Sequence, residues 1–246
     1  MKIYILLFFL HFSILGVSQS YEITYVMFQN QKKHNINVNL KCYLFGNGFY
    51  SLYEEDFENK KGKAKTSNSI ESSDNETKLS LNSNPVYFKD FQLKSIYYID
   101  MIKLDPFYIH DKLGSIKWNI ENETKTILNF KCQKASCIYN GRKFEVFFTE
   151  DIPINDGPWK LTGLPGLILQ VYSDDNVASF KITVEKIEIK NDVVKLENPF
   201  VTKKLLTFDE FKAIYQKKYD ESQHKIIDNH GSTRPMAKGF KEYFVE

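Results

Sequence analysis

The chain has 246 residues, 42% of them hydrophobic, and its 33 Lys+Arg against 31 Asp+Glu leave a formal charge of +2. So even a balance gives no electrostatic pull on a polyanion, which argues against nucleic acid as a partner. Fifteen Tyr and twenty Phe favour strands and bury large areas, so they point to an extended β core.

Residues 1–20 read as a signal peptide. Lys2 is followed by the apolar run Ile3 to Val17, and small residues stand at Ser18 and Ser20. The run is shorter than a membrane span needs. Cleavage after Gln19 or Ser20 would remove Lys2 and lower the charge to +1. With no cysteine in this segment, a lipid anchor is not expected. The expected location is the periplasm or cell envelope, with full secretion open. No later stretch reaches 18 consecutive apolar residues, so no transmembrane span is expected in the mature chain. Residues 21–246 are expected to form a single β-rich domain.

Tyr21 to Phe28 reads as a first strand. Asn35 to Phe45 and Phe49 to Glu54 flank Gly46-Asn47-Gly48, a hairpin signal. From 58 to 85 the chain is rich in Lys, Ser, Asn and Glu, the composition of a polar excursion that buries too little to order itself, broken by a short strand at Lys78 to Leu81. Val86 to Phe91, Lys94 to Ile102, Ser115 to Ile120, Lys125 to Gln133 and Arg142 to Thr149 follow as strands, with a tight turn at Asn140-Gly141. Leu167 to Tyr172 and Ala178 to Lys190 continue the series around a turn at Asp174-Asp175-Asn176. Thr207-Phe208-Asp209-Glu210 is a capping box, and Phe208, Phe211, Ile214, Tyr215 and Tyr219 lay an apolar stripe on the helix it opens. The predicted fold is mainly β: a curled, half-barrel-like antiparallel sheet with one C-terminal helix packed on it.

The segment Asp151 to Val171 concentrates rigid and permissive residues around a large aromatic. Gly157-Pro158-Trp159 and Gly163-Leu164-Pro165-Gly166 lead directly into the apolar run Leu167 to Val171. Leu164-Pro165-Gly166-Leu167 has the chemistry of a type II turn, with Pro165 fixing φ at the second position and Gly166 at positive φ in the third. The hexapeptide Gly163 to Ile168, GLPGLI, resembles the bacterial GLPGLI family of exported proteins. Lys131 to Ala135, Gly141-Arg142, Ile152-Pro153-Ile154, Gly157 to Lys160 and the upstream Trp118 stand in matching order. The resemblance implies an exported protein and carries no catalytic residues onto this chain.

The three cysteines would meet an oxidising compartment after export. Cys132 and Cys137 are a candidate disulfide across a tight hairpin. Cys42–Cys132 would close a longer loop, and three free thiols are the alternative. The zinc-hydrolase HExxH pattern, the GxSxG nucleophile elbow and the Rossmann and Walker glycine loops are all missing, so neither metal nor cofactor is expected. His224, Asp228 and His230 stand close in the tail, but proximity in sequence there is weak ground for a site.

The binding candidates are Trp159, Arg142, Asp151 and Asp156. Trp159 is a ligand platform or, preferred, a plug of the core with its indole on a carbonyl or Asp156. Arg142 is an anion contact or a clamp on Asp151 or Glu150. Asp151 and Asp156 are an acid–base pair if they face one cleft, and otherwise turn residues. The expected role is non-catalytic binding of an apolar small molecule or an envelope protein; the alternative is a secreted hydrolase with its site near the 151–166 loop.

Overall fold

The computed structural model describes residues 20–32, 36–57, 84–103, 105–114, 116–192, 194–223, 235–239 and 241–245. The leader up to residue 19, the polar excursion over 58–83 with its short strand, and the tail residues His224, Asp228 and His230 lie outside them. Among the described residues no helix is long and apolar enough to cross a membrane.

The fold class is the one expected, mainly β: the described residues form one open curled sheet of twelve strands with a single C-terminal helix. The strands are β1 (Ser20–Gln31), β2 (Ile36–Gly46), β3 (Tyr50–Glu55), β4 (Val86–Asp90), β5 (Ser95–Ile102), β6 (Asp105–Lys112), β7 (Asn119–Ile127), β8 (Phe130–Tyr139), β9 (Arg142–Thr149), β10 (Leu167–Asp174), β11 (Ala178–Lys190) and β12 (Leu206–Thr207); the helix α1 is Phe208–Gln223. Their order is β12-β6-β5-β4-β3-β2-β1-β11-β10-β9-β8-β7. Every pairing is antiparallel except the short β12 beside β6.

Alternation sets the two faces. In β1, Tyr21, Ile23, Tyr25 and Met27 are buried, while Glu22, Thr24 and Val26 are only partly so. Bulges interrupt the register at Thr24/Tyr25 against β11 and at Ile168/Gln170 against β9; such insertions bend a strand and increase its twist. The curl is visible in what meets what. Tyr98 of β5 lies beneath Lys160, with Nζ 3.8 Å from the ring centroid, while Phe144 of β9 stacks on Trp159 at 5.5 Å. β5 and β9 stand seven places apart in the sheet. Laid flat they would be about 34 Å apart, so the sheet wraps around the loop that carries residues 159 and 160. That loop, 150–166, fills the inner face, and α1 closes one side through Phe211, which meets Phe107 edge-on at 5.8 Å.

Four local expectations change. Trp118 precedes β7, and β7 and β8 turn at Leu128-Asn129, both at positive φ, so residues 125–133 are not one strand. β6 is an added strand. Gly166 is not at positive φ; Gly163 is, at 99°, and so is Trp159, at 58°. A Cβ on Gly166 would stand 2.0 Å from the Thr149 carbonyl oxygen, so this glycine serves close backbone approach where Leu167 pairs with Thr149, and the type II turn is not formed. Finally, the Cys132–Cys137 disulfide is not formed. Both residues lie on the single strand β8, about 16 Å apart along it, far beyond the reach of a disulfide, and Cys42, Cys132 and Cys137 are all buried and free.

Candidate binding site around the β9–β10 loop

The loop between β9 and β10 is held in one shape by its own polar groups. The Thr162 hydroxyl donates to the Asn155 carbonyl and lies within hydrogen-bond distance of Asn155 Oδ1, which also accepts from the Gly163 amide at 2.6 Å. Trp118 Nε1 donates to the Thr162 carbonyl at 2.9 Å. Trp159 is buried in the core, edge-on to Tyr139 and stacked on Phe144. Core plug is therefore its position, and the Asp156 oxygens are bonded by Lys89, Tyr21 and the Gly157 amide.

Asp156 sits on the inner face, fully buried. Lys89 of β4 donates to Oδ1 at 2.5 Å, Tyr21 of β1 to Oδ2 at 2.7 Å, and the Gly157 amide to Oδ1 at 2.8 Å. Lys89 also donates to the Gly157 carbonyl at 2.7 Å. Burial drives the Lys89 pKa below the ordinary lysine value, with Asp156 opposing, and burial with Asp156 behind it drives Tyr21 upward. The result is an ion pair with its hydrogen-bonding capacity used up, which ties the loop to two strands.

Arg142 is also buried, but its carboxylate partner is Asp175, 3.2 Å from a terminal guanidinium nitrogen, and not Asp151 or Glu150. Its Nε donates to Ser173 Oγ at 2.7 Å and its terminal nitrogen to the Ala178 carbonyl. Burial alone would raise Asp175; Tyr243, the Ala178 and Val177 amides and Arg142 together bring it below the usual carboxylate value. Asp151 stands apart. It is exposed and lines a surface cavity of about 350 Å³ with Glu150, Lys131, Gln133, Asn122 and Thr124, above Cys132 and Phe148. Asp151 and Asp156 therefore do not face one cleft and are not an acid–base pair.

A third polar cluster escaped the sequence reading. Lys160 and Glu242 form an ion pair with side chains 3% and 2% exposed. Asn140 donates to the other Glu242 oxygen at 2.5 Å. Asp100 of β5 lies in the same field, where burial lifts its pKa to about 6 against the pull of Lys160. Glu242 belongs to the segment 241–245, which crosses the inner face after α1. Lys89 could have been found, since it occupies an inward position two residues after Tyr87 in an alternating strand. Nothing local marks Glu242.

A large curled antiparallel sheet, closed by one rigid loop and one helix, defines the class of architecture. Within it, the chain belongs to the family described as N-glycanase peptide, N-terminal domain, whose model matches residues 59–210. The comparisons give no support to the GLPGLI family. Among solved structures, PNGF-II in two crystal forms is similar at 18% identity, with TM-scores of 0.48 and 0.49, over 81% and 77% of this chain and 32% and 31% of PNGF-II. The chain thus spans about a third of the length of that protein. An uncharacterised conserved protein from Thermus thermophilus aligns over 77% of this chain and 91% of its own at 8% identity and a TM-score of 0.37. LprF from Mycobacterium bovis aligns over 73% and 89% at 10% identity and a TM-score of 0.30. No curated protein matches the chain.

Proposed function

We propose that this chain is an exported, non-catalytic binding module of the cell envelope whose ligand is a protein partner. The observation that carries the reading is the condition of the polar groups around the loop. Asp156, Lys89, Arg142, Lys160 and Glu242 are closed into buried pairs, and the inner face is filled by Trp159, Phe144, Tyr25 and the aromatics of α1. A filled interior favours recognition at the surface over enclosure of an apolar small molecule. The family is named for an N-terminal domain, a part of an enzyme, which also supports a module that binds. Native mass spectrometry of the mature protein purified from its own envelope tests the reading. A discrete co-purifying protein is the expected result. A clean apo mass together with glycan release from a denatured N-glycosylated protein would overturn it.

Hydrolysis is the second reading, favoured by the glycanase named in the family description and by the open cavity that sets Glu150 and Asp151 beside Lys131. On that reading Glu150→Gln with Asp151→Asn abolishes glycan release while leaving the thermal midpoint unchanged. Exposed turn carboxylates with no chemical role would leave release unaffected.

A further inference from the structure

Residues 241–245 are held as a ligand is held. Lys241 pairs with Glu55 of β3, Glu242 with Lys160 and Asn140, and the Tyr243 hydroxyl donates to Asp175 at 2.5 Å. The Tyr243 amide donates to the Asn140 carbonyl at 3.0 Å. The Phe244 ring drops among Tyr215, Phe211 and Phe208 at 4.7, 5.2 and 6.3 Å between centroids. These residues belong to no strand of the sheet, and side chains supply most of their hold. A segment kept for stability alone would do as well with apolar residues, since replacing buried ion pairs by well-packed hydrophobic side chains is often neutral or stabilising. Here the slot instead offers a buried ammonium over the Tyr98 ring, an amide donor beside it, and an aromatic pocket one turn of extended chain further on. That is a recognition pattern: a carboxylate, then an aromatic two residues later.

We propose that this slot is a peptide-docking site whose resident occupant is the chain's own segment 241–245, displaced by an extended partner peptide bearing an acidic residue followed at the second position by an aromatic one. The proposal rests on the protein-partner reading above. With the segment in place Lys160 has its carboxylate; with it gone the buried ammonium needs another, which sets the selectivity for an acidic peptide. The closed slot lowers apparent affinity by the fraction of chains in which it is open.

The test uses the full chain and a fluorescein-labelled peptide of residues 236–246, followed by fluorescence anisotropy. Glu242→Gln with Phe244→Ala loosens the resident segment and should bind the peptide at least about tenfold more tightly than the unaltered chain. Adding Lys160→Met should abolish the gain, and a peptide carrying Gln in place of Glu242 should bind correspondingly weaker. A loosened chain that keeps its circular dichroism spectrum and binds no better than the unaltered chain overturns the proposal. If the double variant does not fold, Glu242→Gln alone decides by the same criterion. A partner captured equally well by Lys160→Met would leave the binding-module reading standing and sink the slot. Peptide binding without any captured partner would do the opposite.

Discussion

Lys89 and Asp156 show what a single buried charge costs when its partner is taken away. Both side chains are essentially unexposed, at 0% and 1%. Lys89→Met strands the Asp156 carboxylate and should destabilise by about 3–5 kcal/mol, whereas adding Asp156→Leu should recover at least half of the loss. Urea midpoints of the two single and one double variant close that cycle. Gly166→Ala should cost about 1–3 kcal/mol through overpacking against the Thr149 carbonyl, because the Cβ meets backbone that cannot swing aside. The need for glycine at 166 was legible in the sequence; its reason was not. A Gly after Pro satisfies a type II turn and a close backbone approach equally well, and only the pairing of Leu167 with Thr149 decides between them. In the same way, the sequence made Asp156 and Arg142 visible as charges near an important loop. Their partners, Lys89 and Asp175, depend on which strands the curl brings within reach.

Among the elements, alternation and turn residues located β1 to β5 and β9 to β11 to within a few residues, and Asn140-Gly141 turns with both residues at positive φ. The capping box also stands: the Thr207 hydroxyl accepts from the Glu210 amide at 3.2 Å while Glu210 reaches back to the Thr207 amide at 2.8 Å. Thr207→Ala should lower stability by about 1 kcal/mol, visible as a fall in the thermal midpoint. β6 was hidden because Ile109 is its one fully buried side chain, and Pro106 with four charged or imidazole residues masks the alternation. The β7–β8 turn was hidden because Leu-Asn is poor turn chemistry. Leu128, 43% exposed with φ of 47°, adopts a conformation that costs an ordinary residue about 1–2 kcal/mol. Leu128→Asn should therefore stabilise the protein by roughly 1 kcal/mol, raising the midpoint by about 2–4 °C for a chain of this size. An unchanged or lower midpoint would mean that the leucine is making contacts worth more than its strain.

For the molecule as a whole, the inner-face charges set the response to pH. Asp100 is half-buried, and burial lifts its pKa from 3.8 to about 6, Lys160 opposing and Glu242 reinforcing, with Lys241 nearby. Between those values the native state holds a proton that the unfolded chain has lost. Its contribution is therefore full below the unfolded pKa and disappears as pH rises through about 6. At neutral pH the ionised carboxylate costs about 2–3 kcal/mol. Asp100→Asn keeps the acceptor for the Met101 amide and should be more stable than the unaltered chain at pH 7 by about that amount, with the gap closing towards pH 4. Urea midpoints at pH 4, 5.5 and 7 check the sign as well as the size. The curled sheet itself was foreseeable from many short aromatic strands. That its inside would be charged was not, since the partners are distant in sequence and only the curl of the sheet brings them together.

The place of β1 in the strand order bears on how the protein is made. The strand β1, Ser20–Gln31, pairs on one side with β2, the next strand along, and on the other with β11, the last long strand of the sheet. A ribosome or a translocation channel delivers the two partners of β1 far apart in time. For as long as residues 178–190 are still to emerge, twelve residues with Tyr, Ile, Tyr and Met on one face present an open hydrogen-bonding edge. Two half-sheets, one growing from β2 to β6 and the other from β7 to β10, must then be joined along this single seam by β11. Seam closure is the long-range step that sets the pace of folding and the interval in which two nascent chains can pair with each other by mistake.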